Sequence, residues 1–289
     1  MKALTKKNTI KRKVFLYICT MSVLSLAGTS IFVYILFYRT LTENEIEFTV
    51  KSSNEAKSKI EFFLKEIDNT ATLLGANKDI LNELNRPYMP FETADRETEN
   101  KISTMLKNII SVQEYIKGIY ILGRSTGSFY TSDWGVNEDQ VREMYRLKAN
   151  QNVSADQYYT GVHRINYHMY SDSKVITFVR PIIIFPSERY MGTLIIDLNY
   201  DYLREMFAIS TSQNDEKVLV VTPDGDTIFN FPFLTILDDV IQKNPELLRL
   251  PNAKLYRKVF GKQSIIVSDT IDYSDWKIIR VVSTDKIYE

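Results

Sequence analysis

VFLYICTMSVLSLAGTSIFVYILFY, residues Val14 to Tyr38, runs for twenty-five positions without a charged side chain. That exceeds the roughly 20 apolar residues a helix needs to cross the hydrocarbon of a bilayer, so the run reads as a transmembrane helix and the rest of the chain is placed relative to it. Lys2, Lys6, Lys7, Lys11, Arg12 and Lys13 precede it without an acid among them, and Arg39 is followed by Glu43, Glu45 and Glu47. Basic residues stay on the cytoplasmic side, which puts the N-terminus in the cytoplasm. The expected localisation is the cell membrane, with a basic tail at 1–13, one crossing at 14–38 and residues 39–289 outside. A cleaved secretory signal would fit Ala27-Gly28, but Ile31 to Phe37 carry the hydrophobicity past that point.

With the six tail cations set aside, 30 basic side chains face 36 acidic ones, a net charge of about −6. No basic surface for nucleic acid follows from that balance. Cys19, the one cysteine, lies inside the crossing, so the exterior part carries no disulfide and depends on burial.

Past the membrane, Ile46, Val50, Ser53, Ala56, Ile60, Phe63, Ile67, Ala71 and Leu74 recur three or four apart among polar residues. This is helical or heptad spacing, and a helix continued to Leu74 would reach roughly 50 Å beyond the lipid. The stripe fits either a helix packed on a sheet or pairing between two chains, with Ser53 and two alanines weakening a seam. The pattern breaks at Asn85-Arg-Pro87 and Pro90, and a second helix is expected from about Phe91 to Val112.

From Tyr115 the pattern turns to short strands: Gly118–Leu122, Ser128–Thr131, a helix at Glu138–Ala149, then strands near 158–164, 174–184 and 190–198 and a short helix at 200–207. A second stretch repeats the order, with strands at 217–222 and 227–231 around the turn Pro223-Asp-Gly-Asp226, a helix near 234–242, and strands at 254–260, 263–270 and 276–283. Stalk and packing helices at 39–114 followed by units at 115–209 and 210–289, joined by Ser210–Glu216, make an α+β chain of two copies of one small antiparallel fold.

This organisation resembles the double Cache (tandem PAS-like) sensor domains of bacterial transmembrane receptors, in particular the sensor part of the YesM-type histidine kinases. The resemblance is carried by Asn8-Thr-Ile-Lys-Arg-Lys-Val-Phe-Leu-Tyr17, Lys174-Val-Ile-Thr-Phe-Val-Arg-Pro-Ile182, Met191-Gly-Thr-Leu-Ile-Ile-Asp-Leu198 and Trp276-Lys-Ile-Ile279. It implies a two-component sensor whose second membrane helix and kinase are expected to be missing here, since the chain stops at Ile287-Tyr-Glu289 and shows neither a phosphoacceptor box nor a nucleotide lid. The chain itself is then no enzyme and implies no cofactor. Its expected partners are a small molecule such as a sugar or other nutrient, membrane lipid, a second copy, and a kinase module or response regulator. The alternatives are the sensor of a chemotaxis receptor, cyclic-nucleotide synthase or membrane-bound transcription regulator, and an envelope hydrolase.

The resemblance also implies a site in the membrane-distal unit, between its sheet and the segment joining its second and third strands. That segment holds Trp134, Arg142, Tyr145, Arg146 and Tyr158, and the sheet adds Tyr120, Tyr130, Arg180 and Asp197. Aromatic walls with arginine forks suit a small polar solute. Amine-sensing and amino-acid-sensing relatives carry Tyr, four residues, Arg-x-Trp-Tyr and an Asp late in the fifth strand; here Arg142-Glu-Met144-Tyr145 and Asp197 stand, but Met144 replaces the Trp and Asn137 the first Tyr, so two motif positions are lost, which counts against an amino-acid ligand. The competing reading makes Arg142 and Arg146 solvent-facing helix residues and Asp197 an N-cap for the helix near Tyr200. Gly123-Arg-Ser125-Thr-Gly127 matches a nucleophile-elbow pattern, but a strand follows where that elbow needs a helix. His163 and His168, five apart, point to opposite faces of an extended chain and make no compact metal pair, which leaves them as surface or loop histidines.

Overall fold

The computed structural model describes residues 2–86, 96–124, 129–149, 157–169, 172–184, 186–209, 217–231, 238–259 and 261–283. One helix, α1 (Lys2–Gly75), contains both the apolar run and the stripe beyond it. No proline falls in this span, so nothing removes a donor from the hydrogen-bond ladder. Its stretch from Ile10 to Asn44 is long and apolar enough to cross a membrane, and side chains such as Phe15, Leu24 and Phe32 lie bare on it.

From Ser53 onward one face of α1 is buried: Ser53, Ala56, Ile60, Phe63, Ile67, Ala71 and Leu74 are each at most 5% exposed. The partners are this chain's own sheets. Of the two readings of the stripe, packing on a sheet is the one realised, and these side chains are unavailable as a seam between two chains. After α1, the Asn77 side chain accepts from the backbone N–H groups of Asp79 (2.9 Å) and Ile80 (3.2 Å). This cap starts α2 (Lys78–Asn85), a helix the sequence pattern did not separate from its neighbours. Next comes α3 (Arg96–Val112), while Pro87, Pro90 and the expected start at Phe91 lie outside the described residues.

The first sheet uses β1 (Ile116–Gly123), β2 (Phe129–Thr131), β3 (Tyr158–Tyr159), β4 (His163–Arg164), β5 (Lys174–Ile184) and β6 (Arg189–Asn199), with α4 (Glu138–Ala149) between β2 and β3 and α5 (Tyr200–Ile209) after β6. Its order is β2-β1-β6-β5-β3, with β4 also on β5. The single strand expected at 158–164 is thus two short pairings separated by Thr160-Gly161-Val162. The second sheet, from β7 (Lys217–Val221), β8 (Thr227–Phe231), β9 (Asn252–Val259), β10 (Lys262–Thr270) and β11 (Lys277–Ser283), has the matching order β8-β7-β11-β10-β9. Short helices α6 (Asp238–Lys243) and α7 (Glu246–Arg249) cover it. The β7–β8 turn closes as its residues require: Gly225 takes φ +93° and the Thr222 hydroxyl accepts from the Asp226 N–H at 3.0 Å.

Both sheets lean on α1, and "proximal" and "distal" below mean nearer to or farther from its apolar N-terminal half. The proximal sheet is held where Arg280 of β11 donates to the Ser52 hydroxyl (2.6 Å) and Lys57 pairs with Asp269 (3.1 Å). On the distal sheet Arg180 of β5 pairs with Asp68 (3.1 Å) and donates to Thr72 (2.7 Å). A continuous apolar core joins them, with Phe63 of α1 edge-on to Phe207 at 6.5 Å and Phe207 edge-on to Phe229 of β8 at 5.8 Å.

Candidate ligand site

Side chains alternate across a strand, so each distal strand sends one set toward α1 and the other toward α4. Ile119, Ile121, Ile176, Phe178, Leu194 and Ile196 take the α1 side, whereas Tyr120, Val175, Val179 and Ile195 face α4 with Val141, Tyr145 and Tyr167. Asp197 belongs to the second set. Its strand position is paired with Gly118 of β1 and Thr177 of β5, and the carboxylate is fully buried.

The Thr177 hydroxyl donates to one carboxylate oxygen at 2.6 Å and the Tyr167 hydroxyl to the other at 2.5 Å. Tyr145 donates to the Thr177 oxygen at 3.2 Å, and His163 Nε2 stands 3.3 Å from the same atom. The Tyr120 and Tyr167 rings meet edge-on at 5.6 Å. Tyr120 reaches Asp197 across Gly118, where any Cβ would overlap its phenol oxygen, so the glycine makes room for the tyrosine. Burial holds the Asp197 carboxyl above its ordinary value, while the Thr177 and Tyr167 hydrogen bonds, the His163 charge and Tyr120 pull the other way. The phenols of Tyr120, Tyr145 and Tyr167 are pushed up by burial and by Asp197. The result is a fully buried carboxyl group ringed by hydroxyls in an aromatic shell.

Of the residues named from sequence, Tyr120, Tyr145 and Asp197 come together here, and Tyr158 borders them, its phenol pushed up to about 12 by burial. Trp134 is 72% exposed and stands outside the cluster. Arg142 pairs with Glu138 one turn back (2.7 Å) and donates to the Gly123 carbonyl (3.2 Å), making a helix contact and not a fork over Asp197. Strand alternation puts Tyr130 and Arg180 on the α1 side, where Tyr130 donates to Glu83 (3.3 Å) and Arg180 holds Asp68. The Arg146 side chain lies outside the described residues, as does Ser125 of the elbow pattern.

Asp197 is not a helix cap: Asn199 takes that role, its side chain accepting from the Asp201 and Tyr202 N–H groups at 3.1 and 3.4 Å. Nor are the two histidines equivalent surface groups. His163 abuts the cluster, while His168 pairs with Asp133 at 3.0 Å. Sequence reading missed Tyr167, Thr177, His163 and Gly118. The available signals were the alternation that puts Thr177 on the face of Val175 and Val179, and a glycine two residues before a tyrosine on one strand face.

The corresponding face of the proximal sheet has no such cluster among the described residues. Ile279 and Val281 of β11 pack there with Leu219, Val221, Val240, Leu247 and Ile266, an apolar fill under α6 and α7.

The Cache domain family model matches residues 37–289. No curated protein matches the chain. Among solved structures it is similar to the sensory domain of the Campylobacter jejuni chemoreceptor Tlp3 with isoleucine bound, at 14% identity and a TM-score of 0.62, covering 88% of this chain and 98% of that one. It is also similar to the extracellular domain of the inferred histidine kinase vpHK1S-Z8, at 14% identity and a TM-score of 0.61 over 86% and 97% of the two chains. A third likeness is a domain of an inferred sensory box/GGDEF family protein from Vibrio parahaemolyticus, at 13% identity and a TM-score of 0.58 over 86% and 100%. These likenesses are to the fold, and the family model spans the stalk from residue 37 and both sheets: the chain belongs to the Cache domain family.

Proposed function

We propose that this chain is the extracytoplasmic sensor of a single-pass membrane receptor of the two-component type, similar to the YesM kinases, with its N-terminus in the cytoplasm and its ligand held in the distal unit over Asp197. The basic tail before Val14 and the bare apolar helix support the topology. The observation that carries the site is the buried Asp197 carboxylate, whose hydrogen-bond donors are neutral. Such a group favours a small metabolite bearing an amine, and Tyr120, Tyr145 and Tyr167, packed edge-on against one another, offer no free ring face for a saccharide. The Tlp3 sensory domain has been solved with isoleucine and with L-valine, which agrees with an amine headgroup.

Exposed Phe48, Phe62 and Leu73 lie opposite the buried stripe of α1 and are the proposed contact with a second copy. Occupancy of the site would favour one packing of the distal sheet on α1, and the helix would pass that preference toward the membrane.

A thermal-shift screen of the full chain in detergent micelles against amines, amino acids and sugars tests the ligand reading. A true ligand at a hundred times its Kd adds about 2.7 kcal/mol of stability. The response is expected from an amine and is expected to vanish in Asp197→Asn. Stabilisation that Asp197→Asn leaves intact would remove the site from this position.

A further inference from the structure

We propose that β3, only two residues long, is the mechanical link between the Asp197 cluster and the stalk: Tyr158 belongs to the cluster, and Tyr159 carries its displacement to Trp276 and Leu64. The inference rests on the assignment of the Asp197 cluster as the ligand site.

Adjacent residues of a strand face opposite sides, and here the two sides are functionally distinct. Tyr158, paired with Val179, packs against the edge of the cluster that contains Val141 and Tyr145. Tyr159, paired with Phe178, points through the sheet toward α1. Its ring lies 4.8 Å from Phe178 and 5.3 Å, near edge-on, from Trp276 of the proximal unit, and its hydroxyl donates to the Leu64 carbonyl of α1 at 3.4 Å. One side chain therefore touches the distal sheet, the proximal sheet and the stalk.

The strip is also tied to the carboxylate. Thr160, next along the chain, donates its N–H to the Thr177 carbonyl (2.8 Å) and accepts the Thr177 N–H on its hydroxyl (2.9 Å). Thr177 is the residue that holds Asp197, and His163 lies between the Thr160 and Thr177 hydroxyls at 3.3 Å from each. A change at Asp197 thus reaches the end of β3 through Thr177 and Thr160. Being a sheet-edge pairing of two residues, β3 has few bonds to resist a shift. At the receiving end Trp276 is 2% exposed and immediately precedes β11, whose Arg280 holds Ser52 of α1. Burial of the indole means that a moving Tyr159 has no slack to be absorbed in.

The test uses the full chain in detergent micelles with Trp134→Phe, which leaves Trp276 as the only one of two tryptophans. Tyr167→Phe perturbs the cluster by deleting one hydroxyl from Asp197, and needs no ligand. The readouts are Trp276 emission with acrylamide quenching, and amide hydrogen exchange at Leu64 to Asp68. Tyr167→Phe is expected to shift Trp276 emission and to raise exchange in that turn severalfold. Both responses are expected to disappear when Tyr159→Leu is added; Tyr159→Phe keeps the ring contact, and so the Trp276 response, but loses the exchange response. No change at Trp276 and Leu64 on Tyr167→Phe overturns the link, and so does a response that persists with Tyr159→Leu. If Tyr159→Leu does not fold, the exchange response of Tyr159→Phe decides. A failed metabolite screen would count against the ligand site alone, because these variants are read without ligand.

Discussion

Gly118 shows how one missing Cβ shapes a site. A methyl there would overlap the Tyr120 hydroxyl and crowd its Cζ at 2.8 Å, and the neighbour is a ring only 1% exposed. Gly118→Ala is expected to lower stability by about 1–3 kcal/mol in chemical denaturation, the range for disturbing a buried polar network. The loss should shrink in a Tyr120→Phe background, since the displaced hydroxyl is then absent; an unchanged loss would mean that the clash lies elsewhere. Asp197 yields a signed pH effect. Its carboxyl is held above the ordinary value by burial, so the folded chain binds that proton more tightly than the unfolded chain does. The stabilisation is complete below the unfolded carboxyl value of about 3.9 and is lost as pH rises through the folded value. Asp197→Asn, which mimics the protonated group, is therefore expected to raise the Tm of the ligand-free chain at neutral pH, with the gap closing on acidification. A lower Tm for the Asn variant at neutral pH would show that the hydroxyl and histidine partners outweigh burial.

At the scale of elements, α1 is one helix with two faces that do different work. Ile67 is fully buried between helix and sheet, and Ile67→Ala should cost about 2–5 kcal/mol in denaturant unfolding. Phe62, 68% exposed on the other face, should tolerate Phe62→Glu within about 0.5 kcal/mol while weakening self-association in analytical ultracentrifugation. Equal destabilisation by both would contradict this division of faces. The buried stripe was legible as period, because Ala56, Ile60, Phe63 and Ile67 recur on one side of any helix. What the stripe touches was not, since the same period serves a coiled coil and a sheet-packed helix. α2 escaped notice for a related reason: eight residues carry too few turns for a period, and its start depends on the Asn77 cap.

At the scale of the molecule, a shared helix connects a distal unit with a polar cluster under α4 to a proximal unit whose corresponding face is filled by apolar side chains. Arg280, fully buried yet bonded to Ser52, keys the proximal sheet to the part of α1 nearest its apolar half. Arg280→Leu is expected to raise amide exchange about tenfold or more at Ser52 to Lys57 while leaving β1 and β6 protected, because a hydrogen bond from a charged group contributes about 1.5–3 kcal/mol locally. Uniform exchange across both sheets would instead mean that the chain unfolds as one unit. Their common strand order, with the first strand between the second and the last, makes the two sheets look alike until their inner faces are compared.

Short-range features were readable in the linear chain: the uncharged run at Val14–Tyr38, the helical stripe to Leu74, the Asp-Gly turn at Pro223–Asp226 and the repeated order of strands. Each is a local periodicity or a local backbone demand, complete within a few turns or residues. The site required long-range registration. Asp197, Thr177, Tyr167 and Gly118 stand up to 79 positions apart; the pairing of β1, β6 and β5 sets Gly118, Asp197 and Thr177 side by side, and the segment between β4 and β5 brings Tyr167 over them. Strand register likewise turned Arg180 of β5 and Tyr130 of β2 toward the α1 side. Face and register are properties of assembled strands, and a one-residue slip would have exchanged every one of these assignments.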